Sequence, residues 1–165
     1  MEPTSTGSNK LYYIIGGVVA LLVLGWLLTR GFGGAAGANV DRNFDGSTTY
    51  SNEEGSVTVG AQSMPANWPS DAPQNFAGAT ISFSGASNPQ TGQAGAAVSY
   101  TVRASAQAVI DYYRGSLTSA GWTIVGSANA GGATVISAAK DERTFGVWAT
   151  DNGDGSATVT AGVGM

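Results

Sequence analysis

Asp41-Arg42-Asn43-Phe44-Asp45-Gly46 fits the opening of a calcium loop, D-x-[DN]-x-[DN]-G. Side-chain oxygens of Asp41, Asn43 and Asp45 fall at its first, third and fifth positions. The glycine permits the sharp turn that lets them converge on a hard cation. The twelfth position is Asn52, where such loops carry a bidentate glutamate, and Glu53 comes one residue late. Calcium is therefore the candidate ligand, and a polar turn ahead of a strand pair is the competing use. Ser137-Ala138-Ala139-Lys140 has the S-x-x-K spacing by which a lysine activates a serine nucleophile. Its companion motifs S-D-N and K-T-G are absent, and the tetrad ends a strand rather than opening a helix. Glu53-Glu54, Asp141-Glu142 and the pair Asp151 and Asp154 supply the two carboxylates that glycoside hydrolysis requires. Each pair falls in a turn, where solvated acids are ordinary.

A binding surface is the other candidate. With Phe145, Val147 and Ala149 facing a core, strand alternation turns Thr144, Gly146, Trp148 and Thr150 outward. Thr80, Ser82, Ser84, Ser99, Thr101, Thr134, Thr158 and Thr160 are expected on the same face, with Ile136 near Trp148. An exposed tryptophan among hydroxyls stacks on a sugar ring or anchors a protein partner. Covered by the N-terminal hairpin or by Trp68, it would be ordinary core.

Composition narrows the chemistry. The 165 residues contain no histidine and no cysteine, which removes the commonest general base, thiolate metal sites and disulfides together. No cofactor is implied beyond the candidate calcium ion. Charged residues make up 11% of the chain, well under the roughly 25% of typical soluble domains. Beyond Gly31 there are five basic residues against ten acidic ones, so nothing marks a nucleic-acid surface. No Asn-x-Ser/Thr sequon occurs, and Ser, Thr, Gly, Asn and Gln replace Lys and Glu as surface builders. That composition points to a bacterial, extracytoplasmic domain.

The elements that must position these residues begin with Leu11 to Leu28, eighteen residues without a charge, bracketed by Lys10 and Arg30. As a helix it spans roughly 27 Å, a bilayer's hydrocarbon thickness. Tyr12, Tyr13 and Trp26 stand near its ends, where amphipathic rings favour the headgroup level. A signal peptide's apolar region runs only about 7–15 residues, so residues 11–29 read as an uncleaved transmembrane helix in the cytoplasmic (inner) membrane. Gly16 and Ala20 form a small-xxx-small pair suited to self-association of that helix. The flanking charges balance, so the extracytoplasmic placement of the C-terminal part rests on composition. Residues 1–10 are a polar tail and 30–38 a Gly/Ala linker, reaching about 15 Å.

Residues 39–63 read as a β-hairpin extension, with STTYS and SVTV flanking Asn52-Glu53-Glu54-Gly55. Residues 64–165 form an α+β domain. Its lead-in, MPANWPSDAP, is held extended by Pro65, Pro69 and Pro73, with Trp68 packed on the domain's edge. Ala79, Ile81 and Phe83 alternate inward, as do Val98, Tyr100 and Val102, and a turn-rich loop from Gly85 to Gly95 joins the two strands. One helix follows, with Ser105 as N-cap, a stripe of Ala106, Val109, Ile110, Tyr113, Leu117 and Ala120, and Gly121 as its stop. Trp122–Ser127, Ala133–Ala139 and Thr144–Thr150 are three further strands, with Ala157–Gly162 as a fourth and tight turns at Lys140–Arg143 and Asp151–Gly155. The expected order is β-β-α-β-β-β after the hairpin: an antiparallel sheet with one helix covering one face.

Trp68, Pro69, Asp71 and Pro73 form a P-x-D-x-P element, and Tyr112, Tyr113, Leu117, Gly121 and Trp122 a YY-x3-L-x3-GW helix end. Together, over roughly Met64 to Val159, they resemble uncharacterised bacterial membrane-anchored or lipoprotein-like α+β domains. The resemblance implies this fold and an anchor; it implies no activity and carries over no functional residue.

The sequence thus leads to a single-pass membrane protein held by the lipid bilayer through residues 11–28. Its domain is expected to be non-enzymatic and to serve binding or envelope assembly, with a cell-envelope glycan or protein as partner. A pilin-like filament subunit is the alternative, although the glycine run after Arg30 interrupts the long helix pilins use. A hydrolase lacks the histidine and cysteine it would most readily employ.

Overall fold

In the computed structural model, residues 39–52, 55–60, 63–87, 95–130 and 132–164 are described. The apolar segment Leu11–Leu28, the tail and linker around it, and Glu53-Glu54 lie outside them. Among the described residues no helix is long and apolar enough to cross a membrane.

Among the described residues, nine strands and one helix follow in chain order. They are β1 (Asn39–Arg42), β2 (Thr48–Asn52), β3 (Gly55–Val59), β4 (Thr80–Ser87), β5 (Gly95–Val102), α1 (Ala106–Ser119), β6 (Thr123–Ala130), β7 (Ala133–Lys140), β8 (Arg143–Asp151) and β9 (Ala157–Gly164). All pair antiparallel in one sheet of order β1-β2-β3-β4-β5-β9-β8-β7-β6. The α+β expectation holds for this region, with two corrections. The hairpin extension is a three-strand meander, because Asp41-Arg42 extend β1 before the chain turns into β2. The fourth strand expected after the helix, at Ala157–Gly162, is present as β9, so the order β-β-α-β-β-β is one strand short, and β9 returns to lie between β5 and β8.

The helix α1 forms where its stripe predicts. Ala106, Val109, Ile110, Tyr113 and Leu117 are buried, Ser105 accepts from the Ala108 N–H as N-cap, and Asp151 from β8 accepts the Ala106 N–H at 2.8 Å. At the far end Gly121 takes φ +80°, a conformation that penalises any Cβ, and donates to the Thr118 carbonyl while Trp122 donates to that of Leu117. That is a Schellman stop, and it hands the chain straight into β6.

The core lies between α1, the proline-rich lead-in and one sheet face. It comprises Val98, Tyr100 and Val102 of β5, Ile136 and Ala138 of β7, Phe145, Val147 and Ala149 of β8, and Ala157, Val159, Ala161 and Val163 of β9. Full burial of each larger aliphatic or aromatic side chain contributes about 1.5–3 kcal/mol. Trp68 is part of this core rather than a plug at its rim: it meets Phe145 edge-on at 6.0 Å, and its indole donates to the Pro73 carbonyl. Tyr100 and Tyr113 satisfy each other's hydroxyls at 2.9 Å inside the core, and burial raises both phenol pKa values.

Two register shifts decide which residues share a face. Between Ile81 and Phe83 of β4 a bulge inserts Ser82, so Ile81 pairs Tyr100 and stays with the core while Phe83 pairs Ser99 and turns to the opposite side. The inward alternation expected through Ala79, Ile81 and Phe83 therefore breaks after Ile81. A second shift lies between Ile124 and Gly126 of β6.

Candidate functional site

The P-x-D-x-P element and the helix end meet in space. The Asp71 carboxylate accepts both guanidinium nitrogens of Arg143, at 2.8 and 2.7 Å, and the Lys140 ammonium at 2.8 Å. Lys140 also donates to the Ala120 carbonyl at the end of α1, and the Arg143 guanidinium lies 5.1 Å from the Trp122 ring centroid. The Trp122 indole N–H donates to the Asp71 main-chain carbonyl at 2.8 Å. Arg143, and after it Lys140, hold the Asp71 carboxyl well below the usual carboxylate range. The three charges answer one another within the chain, so the cluster is a clamp joining lead-in, helix end and β7–β8 turn.

The same geometry settles what S-x-x-K does. Residues i and i+3 of a strand project to opposite faces. Ser137 pairs Gly146 on the face away from α1, whereas Lys140 reaches Asp71 on the helix side. The two cannot form a dyad.

Asp41, Asn43 and Asp45 lie at the β1–β2 connection. There the Asp45 Oδ1 accepts the Ser47 N–H at 3.0 Å and its hydroxyl at 2.7 Å, while the Asn43 amide donates to the hydroxyls of Ser47 and Thr49. The Ser47 hydroxyl and then its N–H lower the Asp45 pKa. The turn before β9 repeats this construction residue for residue. Asn43-Phe44-Asp45-Gly46-Ser47-Thr48-Thr49 and Asn152-Gly153-Asp154-Gly155-Ser156-Ala157-Thr158 share the pattern N-x-D-G-S-x-T. Asn152 donates to the Ser156 hydroxyl at 2.8 Å, and Asp154 accepts the Ser156 N–H at 3.0 Å. In both, Asn main-chain N–H to Ser carbonyl closes the loop at 2.9 Å, and the glycine sits at positive φ. The calcium-like spacing is thus that of a self-satisfied turn. Among the described residues no group of three or more potential ligands could hold a metal ion. Asp141 and Glu142 are exposed in the β7–β8 turn, and Asp151 and Asp154 are committed to backbone donors.

The sheet face opposite α1 is the remaining candidate, and the strand registers lay it out as rows. One row runs Phe83, Ser99, Thr160, Trp148, Val135; another runs Thr80, Thr101, Thr158, Thr150, Ala133. Trp148 is partly exposed, its indole donating to the Thr150 hydroxyl at 3.1 Å, and Ser99 and Thr160 share a hydroxyl contact at 3.2 Å. Thr158 joins Trp148 here, as expected. Ile136 and Thr134 do not: Ile136 pairs Val147 in the core, and Thr134 pairs Ala149 on the same helix side. Ser84 likewise pairs Val98 on that side. The neighbours of Trp148 across the ladder are Val135 and Thr160. Sequence alternation alone reached the β8 pattern, but the identity of cross-strand neighbours needed the register.

Between these rows and the sheet's opposite margin runs a third: Gly85, Ala97, Gly162, Gly146, Ser137, Gly126, one residue from each of six consecutive strands. No position in it carries more than a hydroxymethyl group. The Phe83 ring leans toward Gly85, 3.1 Å from where a Cβ would stand. None of the residues in these three rows is charged.

A family model described as START domain-like matches residues 81–160, from β4 into β9. The chain is similar to that family over this stretch, and the family has no assigned activity. The match begins after the P-x-D-x-P lead-in, which Asp71 nevertheless ties to the matched region through Lys140 and Arg143. No curated protein and no solved structure matches the chain.

Proposed function

We propose that this chain is a single-pass membrane-anchored binding module, non-enzymatic, whose working surface is the β4–β9 part of the sheet face opposite α1, which is uncharged. Leu11–Leu28 supplies the anchor, and the domain lies outside the cytoplasm, facing glycans or proteins of the cell envelope. One observation carries the reading: Trp148 stands partly exposed on the uncharged β4–β9 part of this face among Ser99, Thr160, Thr158 and Thr150. An aromatic ring flanked by hydroxyls offers stacking area and directional hydrogen bonds without electrostatic bias. Among the described residues, the Asp71, Asp45 and Asp154 clusters find partners within the chain, which favours a binding role over a reaction. The test is Trp148→Ala in the full chain, read on an array of envelope glycans and proteins. Binding should fall about tenfold or more, ~1.4 kcal/mol, as for a central aromatic anchor, with the melting temperature little changed. Unchanged binding, or a large fall in melting temperature, would overturn the reading.

A second reading, a subunit of a surface filament, has one feature in its favour. β6 (Thr123–Ala130) is an edge strand of eight residues without charge or proline, at the opposite end of the sheet from β1. Such edges pair readily with another strand. Ordered polymers of the full chain under the electron microscope would support it; monomers and dimers alone would remove it.

A further inference from the structure

Among the described residues the large apolar side chains that stand exposed are Val40, Phe44 and Val59. All belong to the β1–β3 meander and its first turn. Val40 pairs Tyr50, then Val57 and Gly85, and Val59 pairs Phe83, so both valines lie on the sheet face opposite α1. Phe44 stands at the tip of the β1–β2 turn with its side chain wholly in solvent. Scattered surface apolar residues are ordinary; a sheet that at least partly covers every other large one and gathers these in one corner is not. The turn before β9 is the built-in control. Asn152-Gly153-Asp154-Gly155-Ser156 closes with the same Asn–Ser and Asp–Ser hydrogen bonds and has glycine, at positive φ, where Phe44 stands. Closing such a turn therefore needs no side chain at that position, and the Phe44 ring is free for another use.

We infer that this corner is a second contact with the membrane: in the anchored chain Phe44, with Val40 and Val59 behind it, enters the headgroup layer of the bilayer. The contact is reversible, and it fixes how the domain stands and hence how the Trp148 face is presented. The inference rests on the anchor reading above and extends it.

The course of the chain identifies the occupant. Only residues 31–38 separate Arg30 from β1, so the meander is the first part of the domain to follow the anchor. Their reach, about 15 Å, matches the roughly 16 Å from Asn39 to Phe44 along an extended chain. The turn can therefore fold back to the surface from which the chain leaves. A short tether also holds the corner beside the bilayer at an effective concentration in the millimolar range, so a shallow contact without a pocket is enough. The nearby charges suit a zwitterionic surface rather than an anionic one: Asp41 and Asp45 stand against Arg42, and the Asp45 carboxylate is turned onto the Ser47 N–H and hydroxyl. The meander lies wholly before residue 81, where the START domain-like match begins, and is thus an addition to that module on its anchor side. A second copy or a soluble protein could use the same corner, but the chain itself holds neither within reach.

The chain has no cysteine, so single reporters are clean. A bimane label at Arg42→Cys, beside the turn, is compared with one at Glu142→Cys in the exposed β7–β8 turn, at the opposite end of the strands. The full chain is placed in phosphatidylcholine nanodiscs with and without lipid that carries a spin label near its headgroup. Quenching should be at least about threefold stronger at Arg42→Cys than at Glu142→Cys, as a shallow interfacial contact requires. Adding Phe44→Ser should bring the Arg42→Cys signal down to that of Glu142→Cys, with the melting temperature and co-elution with nanodiscs unchanged. Equal quenching at the two sites, or quenching indifferent to Phe44→Ser, would overturn the inference, as would a large fall in melting temperature. Phe44-dependent dimers or protein capture without quenching would give the corner to a protein partner and overturn it too. A chain that co-elutes with nanodiscs but shows no quenching leaves the anchor reading standing; one that fails to co-elute overturns that reading and this contact with it.

Discussion

Asp71 collects three charge-assisted hydrogen bonds from residues 69 and 72 positions away, so one carboxylate holds lead-in, helix end and hairpin in register. Its folded-state pKa lies below the unfolded value of about 4. The stabilisation is therefore complete above about pH 4 and is lost as pH falls through the folded value. Asp71→Asn should lower the melting temperature near neutral pH by about 3–6 °C, on the order of 1 kcal/mol once partial exposure is allowed for. The gap to the unsubstituted protein should narrow below about pH 4; a gap unchanged down to about pH 3 would assign the effect to packing instead. The P-x-D-x-P spacing was visible in the sequence, but its purpose was not, because Lys140 and Arg143 are remote and read as turn residues. Trp148 was legible as outward-facing from β8 alone. Its partners were not, and Ile136 and Thr134 belong to the core side because register, rather than proximity in composition, sets neighbours.

At the scale of elements, the stripe and caps of α1 followed directly from sequence, since both are local. Gly115 of α1 is exposed, and a Cβ there would meet nothing within 4 Å. Gly115→Ala should therefore raise stability by about 0.5–1 kcal/mol through helix propensity alone; a neutral or negative result in a thermal melt would show a contact with the chain outside the described residues. The two bulges were not legible, because a single inserted residue leaves no compositional mark, and the one in β4 moved Phe83 from core to opposite face. The shared turn N-x-D-G-S-x-T resembled a calcium loop because both need acids, an amide and a glycine at close spacing. With Asp45 Oδ1 already engaged by Ser47, added calcium should leave the melting temperature unchanged. Asp45→Ala and Asp154→Ala should each lower it, and a calcium-dependent rise lost in Asp45→Ala would restore the metal reading.

For the whole molecule, an antiparallel sheet with one covering helix was readable from alternation and one helical stripe, and the START domain-like match runs from β4 into β9. The uncharged row of small residues was not readable, because its six members come from six strands and become neighbours only through the crossing of β9 between β5 and β8. That face is the proposed binding surface, with Trp148 partly exposed on it. Binding of the full chain and of its Trp148→Ala variant to an array of envelope glycans and proteins tests this most directly. A loss of about tenfold or more with the melting temperature little changed is the predicted result; binding unchanged by the substitution would contradict the account.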